Sequence, residues 1–297
     1  WKEHMATTLA VIGASGQLGS AVVAHILTDT KFPPSNLIAI TRNVNSAKAK
    51  GMTEKGIKVR CGDADKPETL VTALEGATRV LIIPSKAFGA KRCQQYENIV
   101  GAAKKCGVKH LITFSLTGLS VELKFDITPA LTFMESVVRT SGMPWTILRN
   151  GMYMDEIVAW VPDIVKMGTI PYPTAEGKST YVMKDDIARA AAQVAAGEGH
   201  ENKVYNLCNC EAYSTGDLCR TIAEVTGKKV EFKNASDEDY IKAGIASGDP
   251  EPLVRALLTM YWSVRDGAFG KPSSDIESLT GKKPISFKEA LVSSKTE

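Results

Sequence analysis

Residues 11–27 read VIGASGQLGSAVVAHIL. Three glycines, Gly13, Gly16 and Gly19, stand three apart between an apolar run and an amphipathic one. The first run has the composition of a buried strand and the second the periodicity of a helix. A strand that meets a helix through glycines at this spacing is a turn built for a dinucleotide. Gly13 ends the strand where the chain turns tightly, Gly16 leaves the backbone open to a pyrophosphate, and Gly19 lets the helix pack closely on the sheet. The helix N-terminus adds free N–H groups and a positive dipole end. Ser15 offers a hydroxyl, and Gln17 and Leu18 offer their amides. The bland reading is a plain strand-to-helix connection. The context argues against it, because the motif follows the first strand, opens a helix and starts a βαβ unit.

Outward from this turn the first half of the chain alternates short apolar runs with helical patterns. Strands are predicted over 7–12, 36–42, 58–61, 79–84, 111–115 and 145–149. Helices are predicted over 17–28, 45–55, 67–75, 91–105 and 129–141. Strands this apolar are usually covered on both faces, as in a parallel sheet. The alternation therefore predicts an α/β chain with a doubly wound parallel Rossmann sheet. After Asn150 the pattern loosens. Short strands are expected over 180–183, 204–207 and 229–232. Helices are expected from Asp185-Asp186, read as a cap, to Ala196, and over 215–226, 236–243, 252–262 and 286–292. The division expected is a nucleotide-binding Rossmann domain over 5–151. A smaller C-terminal α/β substrate lobe follows over 152–297, with some elements returning to the main sheet.

The second strand ends Ile40-Thr41-Arg42-Asn43. A carboxylate there would hold the ribose 2′-hydroxyl of NAD; Arg42 suits a 2′-phosphate instead. The expected cofactor is therefore NADP(H), with Lys48 able to assist from the next helix. Asp63, after the third strand, either accepts from the adenine amino group or caps the helix that follows; both readings stand. Ser85 and Ser115 follow the fourth and fifth strands, at the edge where open α/β sheets bind ligands.

Composition excludes several classes. With 44% hydrophobic and 23% charged residues and a formal charge of +3, the 297-residue chain is ordinary for a globular protein. No basic cluster alternates with aromatics, so no nucleic-acid partner is expected. No apolar stretch approaches the roughly 18 residues of a membrane helix. Trp1-Lys2-Glu3-His4 reads as an extraneous lead before a start at Met5, and no signal peptide is evident. The six cysteines show no C-x-x-C pair, and Cys208-Asn-Cys210 is the one close pair. Reduced thiols in the cytoplasm are expected, and no metal site. The four histidines are scattered and none is assigned to catalysis. Nothing in the sequence fixes an oligomeric state.

A reductase of this shape often carries Tyr-x-x-x-Lys on the helix after the fifth strand, where the Tyr donates a proton. None of the eight tyrosines has Lys four residues later, and residues 129–142, PALTFMESVVRTSG, contain neither residue. Hydride transfer to a ketone needs a strong acid for the alkoxide. A quinone yields a phenolate-like anion that water can protonate. The missing acid therefore suits a quinone, or cofactor binding without turnover. Phe88, Met152 and Tyr153 follow strand ends and are the candidate substrate contacts. Tyr153 and Ser115 are the candidate catalytic residues, Tyr153 as the best available proton donor. Tyr153 reads equally as an aromatic packed between lobes. Trp145 and Trp160 read as core.

Taken together, the stretches GASGQLGSAVV, IAITRNVNSAKA, GIKVRCGDADKPETLVTALEGATRVLII, NIVGAAKKCGVKHLITFSL, SGMPWTILRNGMY and GHENKVYNL carry a resemblance. They resemble the NmrA-like branch of atypical short-chain dehydrogenases/reductases, and within it the NADPH-dependent quinone oxidoreductases. The resemblance runs over nearly the whole chain from Met5. It implies NADPH held by residues 13–19, by Arg42 and Ser85, and by the 148–151 segment near the nicotinamide, which includes Asn150 and Gly151. It also implies a quinone lying against the nicotinamide under the smaller lobe, reduced without flavin. Relatives carry a Lys in the 129–142 helix where this chain has Ser136. Other members of the branch bind the cofactor without turnover and act as redox sensors. A sensor of that kind, with a protein partner, is the alternative expectation.

Overall fold

The structure, a computed structural model, describes residues 7–294. Residues 1–4 and the start read at Met5 lie outside the described residues. The chain divides into two compact units. One comprises 7–115, 130–149 and 187–205; the other comprises 116–129, 150–186 and 206–294.

The first unit begins with β1 (Leu9–Ile12), α1 (Gln17–Asp29), β2 (Leu37–Thr41), α2 (Ala47–Glu54), β3 (Lys58–Cys61) and α3 (Pro67–Leu74). It continues with β4 (Arg79–Ile82), α4 (Gly89–Lys105), β5 (His110–Leu116), α5 (Thr128–Arg139) and β6 (Trp145–Asn150). Further along the chain come β7 (Met152–Tyr153), α6 (Met154–Met167), β8 (Thr169–Ile170), β9 (Lys178–Ser179), β10 (Tyr181–Val182), α7 (Lys184–Ala196) and β11 (Lys203–Leu207). The main sheet runs β11-β6-β5-β4-β1-β2-β3. Its β1–β2, β1–β4, β2–β3 and β4–β5 pairs are parallel. The strand order reverses at β1, the switch point that open α/β sheets use for ligands. Every residue of β1, β2 and β4 is buried, which is why these strands read as unbroken apolar runs. The two edge strands, β3 and β11, are left partly exposed. The doubly wound α/β reading therefore holds, with α7 and most of β11 belonging to the sheet unit.

The second unit keeps only two-stranded pieces. β7 pairs with β10 in parallel, and β9 pairs antiparallel with β12 (Tyr213–Ser214). After α8 (Thr215–Thr226), β13 (Glu231–Phe232) pairs in parallel with β8. Helices α9 (Asp237–Ala246), α10 (Glu251–Arg265), α11 (Asp275–Thr280) and α12 (Phe287–Ser293) complete it. One core gathers Met154 and Ile164 of α6, Leu218 and Ile222 of α8, and Phe287 and Leu291 of α12. Trp160 packs against this core, as its sequence reading expects. A smaller cluster joins Leu123, Val264 and Phe269, with Met152 against it.

The elements depart from expectation in several places: α11 and the two-residue strands β7, β8, β9 and β12 lie where none is predicted, and two further departures have evident causes. Helix α6 lies where no regular element is predicted. Pro162 sits inside it and hides its periodicity, although Asp155 and Glu156 in the first turn and the left-handed Gly168 cap mark its ends. Asp185-Asp186 does not cap α7. Both residues lie within it, Lys184 N–H donates to Asp155 Oδ2 at 2.8 Å, and Asp186 Oδ2 accepts from Ile285 N–H at 3.0 Å. Among the described residues no helix is long and apolar enough to cross a membrane, and no three His, Cys, Asp or Glu are grouped to hold a metal ion.

Candidate functional site

The glycine turn is set by backbone geometry. Gly13 has φ +81°, and its N–H and that of Ala14 both donate to Ile40 O, at 3.0 and 3.2 Å. The turn is thereby pinned to β2. A Cβ on Gly19 would lie 2.2 Å from Gly13 O, so only glycine lets α1 start this close to β1. A Cβ on Gly16 would meet only Gly13 O, at 3.2 Å. The backbone at Gly16 is therefore open on its other sides. Gly16 is the N-cap of α1, no side chain caps the helix, and no acidic residue lies in its first turn. A helix start left without a protein cap, with its positive dipole end bare of carboxylates, matches what a pyrophosphate requires. These residues fit a dinucleotide.

Arg42, just after β2, is exposed, and its guanidinium has no hydrogen-bond acceptor among the described residues. Lys48 on α2 reaches across to Ser20 on α1, Nζ to Oγ 3.3 Å. Ser15 Oγ lies 2.7 Å from Thr41 Oγ1, so its hydroxyl ties the turn to the end of β2. Asp63 takes neither helix-capping nor free form. Its Oδ1 accepts from Asp65 N–H at 3.1 Å and shapes the loop, while the N-cap of α3 is Lys66. That loop is stapled to α4: Gln95 Nε2 donates to Asp65 Oδ1 at 2.8 Å, Lys91 pairs with Asp65 at 3.2 Å, and Asn98 donates to Ala64 O. The Gln95 and Lys91 contacts hold the Asp65 carboxyl below its usual range. Ser85 is engaged in the same network. Its Oγ donates to Gln95 Oε1 at 2.5 Å and accepts from Ala87 N–H at 3.0 Å. Phe88 is the N-cap of α4, is 67% exposed, and lies under the Arg92 guanidinium at 5.4 Å.

At the C-terminal end of β5 the buried Ser115 lies beside Glu135 of α5. Glu135 is the feature the sequence reading missed. Its carboxylate takes both Nε and Nη2 of Arg149, each at 2.8 Å, a bidentate pair. Burial pushes the Glu135 carboxyl up, but Arg149, Ser115 and Arg139 together hold it below its usual range. The available signal was an apolar helix interrupted by a single acid, with an Arg on the next strand. Ser136, next to it, is exposed. Arg139 also stacks over Trp145, 4.2 Å from the ring centre, so Trp145 is half-buried under a cation rather than core.

In the second unit Asn150, Gly151, Met152 and Tyr153 run consecutively. Asn150 is 4% exposed; its Nδ2 donates weakly to Tyr153 Oη at 3.5 Å, and its buried Oδ1 has no protein donor. Gly151 is dictated by packing, since a Cβ there would lie 2.4 Å from Thr180 O and 2.8 Å from Cys208 Cβ. Tyr153 is 37% exposed and so is not sealed in a core. The Cys208 and Cys210 thiols donate to the Lys271 and Ser273 carbonyls and are free of any disulfide. Burial pushes the Cys208 thiol up, which keeps it in the protonated form at neutral pH.

The model of the NmrA-like family matches residues 5–293. Quinone oxidoreductase 2 of Escherichia coli is 30% identical over 95% of this chain and 97% of its own length. The NAD(P)H azoreductase of Xenophilus azovorans is 27% identical over 94% of this chain and 95% of its own. Among solved structures, the NADPH-dependent quinone oxidoreductase of Escherichia coli complexed with NADPH superposes with a TM-score of 0.91 at 30% identity, over 97% of this chain and 99% of that one. The Citrobacter triphenylmethane reductase complexed with NADP(H) superposes with a TM-score of 0.87 at 32% identity, over 96% and 99%.

Proposed function

Because this chain belongs to the NmrA-like family, we propose that it is an NADPH-dependent oxidoreductase that reduces a quinone by hydride transfer, without flavin. The observation that carries the reading is the glycine turn with its uncapped α1 N-terminus, followed at the end of β2 by the exposed Arg42, whose guanidinium makes no hydrogen bond among the described residues. Three relatives named for quinone, azo-compound and dye reduction support the reaction class.

In this reading the α1 N-terminus and the open backbone at Gly16 take the pyrophosphate. Arg42 takes the 2′-phosphate as a charge-assisted fork, and Lys48 adds a second positive charge on that side. Asn150 Oδ1, buried without a protein donor, accepts from the nicotinamide carboxamide. NADPH, when bound, supplies the hydride. The Tyr153 O–H bond breaks as the hydroquinone O–H forms, and the resulting phenolate takes a proton from water. The quinone gains two electrons and two protons in all, one of them carried by the hydride. Ser115, whose buried hydroxyl has no hydrogen-bond partner among the described residues, is the second candidate catalytic residue. Phe88 and Met152 offer apolar surface to a planar ring.

The test is consumption of NADPH by purified protein with a panel of benzoquinones and naphthoquinones, flavin omitted. Quinone-dependent consumption, lost in Gly16→Val and lowered in Tyr153→Phe, is the expected result. Tight NADPH binding with no turnover on any quinone would replace this reading with that of a cofactor sensor.

A further inference from the structure

Tyr153 and Lys184 come from different parts of the second unit, and the strand pairing brings them together. β7 and β10 pair in parallel with Val182 opposite Tyr153. Two residues later the chain enters α7 at Lys184, whose N–H is held by Asp155 Oδ2 at 2.8 Å. This places the Lys184 ammonium 5.0 Å from the centre of the Tyr153 ring. Glu156, 70% exposed, takes the same ammonium from the solvent side at 2.5 Å, whereas the Lys184 side chain is only 14% exposed. The phenol oxygen meanwhile faces the Asn150 amide. The charged groups that bear on the ring are therefore Lys184 on its face and Glu156 of α6 on that ammonium, while Asp155 of α6 holds the Lys184 backbone N–H and Asp185 follows Lys184 exposed on α7.

A cation over an aromatic ring interacts favourably with the neutral ring and more favourably with the phenolate, where a full negative charge develops. A donor N–H on the oxygen favours the same state. We propose that Lys184 is a positioning residue for proton donation by Tyr153: it holds the ring and stabilises the phenolate left when the proton goes to the reduced quinone oxygen. The ammonium loses no proton in this step. The O–H bond of Tyr153 breaks, the hydroquinone O–H bond forms, and water restores the phenol. The inference rests on the reading of Tyr153 as proton donor. It adds that the cation needed beside the phenol arrives from α7 rather than from the helix that follows β5.

The experiment compares Lys184→Met, Lys184→Arg, Glu156→Gln, Tyr153→Phe and the Lys184→Met/Tyr153→Phe double variant, with NADPH and one quinone. Lys184→Met is expected to lower kcat about tenfold, from the size of a desolvated cation–π contact, with KM and NADPH affinity unchanged. Lys184→Arg is expected to restore kcat, and Glu156→Gln to keep it, which a merely structural ion pair would not allow. The double variant is expected to be no slower than Tyr153→Phe, because one residue acts through the other. Additive losses, or a Lys184→Met enzyme with wild-type kcat beside an impaired Tyr153→Phe, would overturn the role of Lys184 alone. Wild-type kcat in Tyr153→Phe would instead overturn the donor reading.

Discussion

Gly19 and Arg42 show how differently two residues of one site can be tested. A methyl on Gly19 would lie 2.2 Å from the Gly13 carbonyl, and backbone cannot yield as a flexible side chain does. Gly19→Ala is expected to cost about 1–3 kcal/mol of stability by overpacking, read as a lower urea midpoint with unchanged slope. Arg42 is exposed and its guanidinium makes no hydrogen bond among the described residues; its one charge contact is a longer-range one to the exposed Asp65, so its loss costs the fold little. Arg42→Ala is expected to weaken NADPH about 10- to 100-fold, the range of a charged hydrogen-bonded contact, and NADH hardly at all. Equal weakening of both in calorimetry would show that Arg42 does not read the 2′-phosphate. The packing role of Gly19 and the proposal for Arg42 both come from local signals, glycine spacing and a missing carboxylate. The protein contacts of Ser85, Asp63 and Gly151 were not legible. Ser85 is engaged by Gln95, Asp63 by its own loop, and Gly151 by Thr180 and Cys208, all contacts that depend on segments distant in sequence or on loop geometry.

The elements divide along the same line. The buried strands β1, β2 and β4 and helix α8 stand out from periodicity, apolar runs and end signals alone. Helix α6 did not, because Pro162 breaks the pattern by which a helix is recognised even though tertiary packing on α8 and α12 retains it. The link between α5 and β6 was also invisible, since Glu135 and Arg149 are 14 residues apart and belong to different elements. Their pairing carries a pH signature. Glu135 is almost fully buried and its folded-state carboxyl titrates below the usual 4.5, so the pair stabilises fully above that value and its contribution is lost as pH falls below it. Glu135→Ala is expected to cost about 3 kcal/mol at neutral pH, because it strands the Arg149 charge. The penalty should shrink toward pH 3 in denaturant titrations. A penalty independent of pH would mean that packing, not charge, holds α5 on β6.

At the scale of the whole molecule, stability and chemistry reside at separate places in the sheet unit. The strand starts carry a buried polar network: Arg79 donates to Ala195 O at 2.8 Å, His110 Nε2 meets Thr146 Oγ1 at 2.8 Å, and Thr146 in turn donates to His200 O. Burial, with Arg79 nearby, pushes His110 down to about 4 from 6.5, so its 3.9 Å approach to Glu201 is not an ion pair at neutral pH. The unfolded chain takes up the proton first. Stability should therefore fall as pH drops from 6.5 to about 4, by roughly 2–3 kcal/mol, and His110→Gln should flatten that fall. The glycine turn proposed to bind phosphates lies at the other ends of the strands, where β1 runs into α1. The central claim concerns that turn and what it holds. The most direct measurement is the rate at which flavin-free protein oxidises NADPH and NADH, with and without a quinone. Quinone-dependent oxidation that strongly prefers NADPH is the expected result. A trace that stays flat with every quinone, or that moves only when flavin is added, would contradict it.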